Sequence, residues 1–126
     1  MPKVSMDSAS QVEQMGPMGE VRHEELGGYT VDFMSFTQGG ALAPMLKGLP
    51  DDKCQCPHWG YVLKGSFTMD FGDHQESYAA GDAVYIPPGH TPTYEPGTEF
   101  VQFSPTEDLA QTMAAITKNM EGMQGG

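Results

Sequence analysis

The chain has 126 residues, enough for one domain with a buried core. Six Lys+Arg against 17 Asp+Glu leave a formal net charge of −11, which argues against binding nucleic-acid phosphates or anionic membrane surfaces. Sixteen Gly and ten Pro make a turn-rich chain, better suited to short strands than to a helix bundle.

Residues 1–26 are polar, contain a Gly16-Pro17-Met18-Gly19 break and show no sustained apolar period. They read as an N-terminal arm on the surface, or as a strand added to a neighbouring subunit. They lack the charged start and apolar stretch of a signal peptide, and no apolar run approaches the roughly 18 residues of a membrane helix. Gly27-Gly28 opens a strand over 29–37, with Tyr29, Val31 and Phe33 on one face. Residues 38–53 read as a loop broken by Gly39-Gly40, Pro44, Gly48 and Pro50. Short strands follow at 61–63, 66–71, 76–79, 83–86, 91–95 and 98–103, separated by Gly65, Gly72-Asp73, Gly81-Asp82, Pro87-Pro88-Gly89 and Pro96-Gly97. Regular short strands between turns indicate a sandwich or barrel. The period then changes. Ser104, Pro105 and Glu107 form a capping-box signature, and Leu109, Met113, Ile116 and Met120 make one stripe, so a helix is predicted over 105–121. The barrel is thus expected over 27–104, with the helix packed on it or on a partner subunit, and Met-Gln-Gly-Gly as a frayed tail.

Chemistry concentrates in Cys54-Gln55-Cys56-Pro57-His58. In an extended strand the two cysteines share a face, about 6.5–7 Å apart, and could reach one ion. His58 would then lie about 13 Å from Cys54 unless Pro57 bends the chain and brings it in. Thiolate and imidazole together suit Zn²⁺, Cu(I) or Fe. A strained C-x-C disulfide and two unliganded core thiols are the other readings of the pair. Two cysteines make no disulfide framework, so the expected compartment is the cytoplasm, where thiols stay reduced. His74 in a turn and His23 among Glu24 and Glu25 read as solvated. The acidic residues mostly fall in turns and read the same way. Trp59, Tyr61, Tyr85 and Tyr94 are placed either to line a barrel interior or to form plain core. No nucleophile elbow, phosphate-cradling loop or paired-carboxylate signature is present.

These residues resemble the cupin superfamily, over roughly 28–104. Its first motif runs G-(x)5-H-x-H-(x)3,4-E-(x)6-G. Here Gly48 and five residues lead to Cys54 and Cys56 in the H-x-H columns, and His58 stands in the Glu column six residues before Gly65. Its second motif, G-(x)5-P-x-G-(x)2-H-(x)3-N, is matched by Gly81, Pro87 and Gly89. The final His column falls on Pro92, with His90 two residues earlier, and the Asn column holds Pro96.

The resemblance implies an all-β double-stranded β-helix, or jelly-roll barrel, with a C-terminal helix. It places Cys54, Cys56, His58 and His90 as metal ligands, a Cys₂His₂ set that suits zinc ahead of iron or copper. Many cupins dimerise, so a homodimer is expected, and the barrel has room for a small-molecule ligand. Two functions follow. Three protein ligands would leave a position open for substrate and make a metal-dependent enzyme. Four would close the site and leave a non-catalytic module that binds or senses a small ligand.

Overall fold

The computed structural model describes residues 3–15 and 18–124, with side chains to residue 121. The Gly16-Pro17 part of the N-terminal break and the last two residues of the tail lie outside them. Among the described residues ten strands form: β1 Gln11–Gln14, β2 Glu20–Leu26, β3 Tyr29–Phe36, β4 Gly40–Ala41, β5 His58–Lys64, β6 Ser66–Asp70, β7 Gln75–Ala79, β8 Ala83–Ile86, β9 Thr91–Tyr94 and β10 Thr98–Pro105. They are followed by one helix, α1 Thr106–Gln124. The strands pair antiparallel in two sheets, one ordered β1-β2-β3-β10-β5-β8 and the other β4-β9-β6-β7. This is the expected two-sheet barrel with a trailing helix.

The barrel closes on Met34 and Phe36 from β3, Val62 from β5, Phe67 and Met69 from β6, and Phe100 from β10. On β5 the inward residues are His58, Gly60 and Val62. Gly60 is required because a Cβ there would stand 2.6 Å from the Phe100 ring. A second cluster joins the helix to the 38–53 segment: Leu42, Leu46 and Leu49 pack with Leu109 and Ile116. That segment is not a bare loop. It holds the short β4 and two 3₁₀ turns, Ala43–Leu46 and Pro50–Asp52. The Asn119 side-chain amide donates to the carbonyls of Met45 and Lys47 at 2.7 and 3.0 Å, fixing the helix over the barrel mouth.

Four expectations need correction here. Residues 20–26 belong to the sheet, pairing with β3 along their whole length, and β1 pairs with β2 of the same chain. Their apolar content is too low to show a period, so the tertiary register places them. The boundary expected at residue 27 therefore falls inside a hairpin. Ser104 and Pro105 end β10 and do not start the helix, because the Ser104 hydroxyl is bound to His58. Trp59, Tyr61 and Tyr85 face outward at 42%, 46% and 51% exposure, and only Tyr94 of that group is inside. Strand alternation is the reason: with His58 inward, Trp59 and Tyr61 must point out.

Candidate metal centre

Cys54 and His90 are joined by their backbones. The Cys54 N–H donates to the His90 carbonyl at 2.9 Å, and the Cys54 carbonyl accepts from Gly89 and His90. The Pro87-Pro88-Gly89 turn makes this approach, with Gly89 at a φ of +91 that favours glycine. His58 opens β5, paired with Ile86 on β8 just before that turn. The thiol and two imidazoles converge: one donor atom from each of Cys54, His58 and His90 lies within 4.8 Å of the others, and all three residues are buried.

The stretch Gln55–Pro57 is not regular strand, and it brings His58 Nε2 to 3.6 Å from Cys54 Sγ. The bend expected at Pro57 is therefore present. It has a second consequence. Cys56 leaves the face of Cys54 and does not join the cluster. Its thiol lies 3.4 Å from the Pro57 carbonyl, inside the packing between helix and barrel. The C-x-C ligand pair is replaced by Cys54 and His58, because two residues apart means one face only while the strand stays regular. Both thiols are free, so no disulfide forms.

The donor set fits a metal ion. His90 Nδ1–H donates to the Pro87 carbonyl at 2.7 Å, which leaves Nε2 with its lone pair. His58 Nδ1 meets the Ser104 hydroxyl at 2.7 Å, and donation to it leaves Nε2 free beside Cys54. Such outer partners are what orient metal-binding histidines. A separation of 3.6 Å matches a tetrahedral edge built from bonds of about 2.0 and 2.3 Å. Burial, and then the neighbouring His90, lower His58 to about 3, while burial also lowers His90, so both rings are neutral. Burial raises the Cys54 thiol, against the Thr112 hydroxyl at 3.3 Å, which favours the thiolate. Cys56 is pushed up to about 12, first by burial and then by Cys54.

The cluster borders a cavity of about 400 Å³ between the barrel and α1. Met34, Met69, Tyr94 and Ile116 give it apolar walls, while Asp32 and Gln102 add a second polar region. The sequence reading missed Asp32, Gln102, Thr112 and Ser104. A carboxylate in mid-strand, on the face of Met34 and Phe36, was the available signal for Asp32. His23 is not solvated either. Its Nε2 is buried without a hydrogen-bond partner, 3.4 Å from a Glu13 oxygen. His74 is exposed as expected and bonded to Asp73.

No protein-family model and no curated protein matches the chain. Solved structures match it by shape. A protein of unknown function from Rhizobium leguminosarum bv. viciae is 20% identical over 82% of this chain and 95% of its own, with a TM-score of 0.58. An RmlC-like cupin from Shewanella frigidimarina is 18% identical over 83% and 92%, with a TM-score of 0.55. KdgF from Halomonas sp. is 17% identical over 83% and 94%, with a TM-score of 0.56. At such identities the likeness is one of fold alone: the chain has a cupin-like β-fold with a trailing helix, and it carries a buried Cys-His-His cluster capable of coordinating a metal.

Proposed function

We propose that Cys54, His58 and His90 hold one divalent ion, zinc ahead of iron or copper, in a metal-dependent enzyme acting on a small molecule. The observation that carries this is the cluster's position on the wall of a cavity, with three protein donors and Cys56 turned away. Three protein ligands are the mark of catalytic zinc sites, and four that of structural ones. An ion so held supplies a Lewis acid or an activated water at its remaining position. The chain's own part is to fix His58 through Ser104 and His90 through Pro87, to hold the Cys54 thiolate beside the Thr112 hydroxyl, and to exclude bulk water with α1. The expected compartment is the cytoplasm, which keeps that thiol reduced. The test is elemental analysis of protein purified without added metal, alongside His58→Ala. One equivalent of zinc in the parent and a large loss in the variant support the reading. No metal in the parent, or equal loading of both, overturns it.

The same reading takes the protein as a homodimer joined through the outer face of the larger sheet. Tyr29, Trp59, Tyr61, Leu63, Tyr85 and Phe103 are each 42–51% exposed there. Arg22, Lys64 and Glu99 lie towards the edges. An aromatic centre with a charged rim is the usual anatomy of an interface. At about 150–250 Å² per large side chain, the exposed parts of these residues alone would bury roughly 400–670 Å². A stable interface needs about 800 Å² from each partner. A second copy suits a chain of this charge, since the centre sets no carboxylates against each other.

A further inference from the structure

The cavity's second polar region lies apart from the metal cluster. His23, Asp32, Gln102 and Gly60 form one cross-strand row on the inner wall of the larger sheet. Thr30, Ser104 and His58 form the next inward row. Asp32 and His58 are thus two strand spacings and one same-face step apart, about 12 Å between Cα atoms.

Asp32 is 6% exposed and faces the cavity. One of its oxygens accepts from the Gln102 amide at 3.0 Å. Burial pushes the carboxyl up to about 6, opposed first by that amide and then by His23. The space between Asp32 and the cluster is walled by apolar side chains, and among the described residues no Lys or Arg lines the cavity.

We infer that Asp32, held by Gln102, is the second anchor of a two-ended binding site, taking the ammonium or hydroxyl of a small organic molecule whose other end reaches the Cys54–His58–His90 cluster. This rests on the metal reading above. The apolar middle asks for a short carbon chain. The absence of cationic side chains from the described walls disfavours phosphates and polyanions, leaving the cluster as the only cationic end. Glu13 and Glu121 line the same cavity and favour a cationic group over an anionic one at its far end.

The test uses cobalt(II)-loaded protein and three probes with the same six-carbon chain: 6-aminohexanoate, 6-hydroxyhexanoate and hexanoate. The d–d band reports carboxylate binding at the ion. The amino and hydroxy compounds should bind at least tenfold more tightly than hexanoate, the worth of one hydrogen bond to a buried carboxylate. Asp32→Asn keeps the bond to Gln102 but removes the charge, and should abolish the preference for the amine. Equal affinities in the parent, no binding of any probe, or a preference that survives Asp32→Asn would overturn the inference. Failure of cobalt to produce a thiolate charge-transfer band would instead overturn the metal reading beneath it.

Discussion

The two faces of the larger sheet differ sharply in chemistry although each step along a strand crosses from one to the other. Inward, β3, β10 and β5 present Asp32, Gln102, Ser104 and His58 beside tightly packed Met34, Phe100 and Val62. Outward, the same strands present Tyr29, Phe103, Trp59 and Tyr61, each more than 40% exposed. Trp59 lies between Tyr29, edge-on with ring centroids 6.2 Å apart, and Tyr85, tilted at 5.1 Å. The inner face makes a cavity with reactive groups, and the outer face makes a surface suited to adhesion. A change of one residue in register would exchange the two.

The largest effect should come from comparing the faces on one strand. Phe100→Ala empties a fully buried site and should cost about 3–5 kcal/mol, whereas Phe103→Ala should cost less than about 1 kcal/mol in the monomer. Urea denaturation measures both, and similar midpoints would erase the contrast.

The comparison sharpens at the two thiols. Cys54→Ser replaces a charged soft ligand and should lower zinc affinity by at least a hundredfold, while Cys56→Ser should keep full stoichiometry. Competition against a chromophoric chelator gives the affinities. Equal losses would return Cys56 to the ligand set.

Proton competition gives the next effect. Both imidazoles are neutral at pH 7–8 because their pKa values are lowered, whereas the Cys54 thiol is raised and still holds its proton. Binding should therefore release one proton, and zinc affinity should rise about tenfold per pH unit across that range. Calorimetry in buffers of different ionisation enthalpy counts the protons. Two per ion would mean that a histidine is charged in the metal-free protein.

The smallest effect on the fold should come from the outer face. Trp59→Glu should change monomer stability by about 0.5 kcal/mol or less and leave metal content unaltered. Light scattering should nevertheless find the variant monomeric and the parent dimeric. A dimeric variant would move the interface elsewhere.

Much of the barrel was legible because turns are written in glycine and proline. The strand expected at 83–86 is the one found, and the second motif led to the right turn, although its His column falls on Pro92 and the histidine in the cluster is His90, two residues earlier. Of the four ligands expected, three converge and Cys56 does not. Pro57 signalled a bend, but the alternation argument for Cys56 assumed that no bend fell beside it. The outward aromatics were misplaced for want of a parity reference. Fixing His58 inward supplies one, and it reverses the reading of Trp59 and Tyr61. β2 was invisible because Val21 and Leu26 are its only apolar residues, so β3 on the neighbouring edge decides its conformation. Asp32 was overlooked by attending to the apolar side of its strand, although the other side lines the cavity.

The backbone pairing between Cys54 and His90 bears on how an ion would arrive. Their main-chain hydrogen bonds need no metal, and Ser104 and Pro87 already hold the two rings. Little conformational entropy is then left to lose on coordination. Removing the ion would leave an intact barrel, unlike a zinc finger, whose fold depends on its metal. If the site takes an ion, loading and stripping would be local exchange events at a finished receptacle, and occupancy would follow the supply of ions around the protein without a cycle of unfolding.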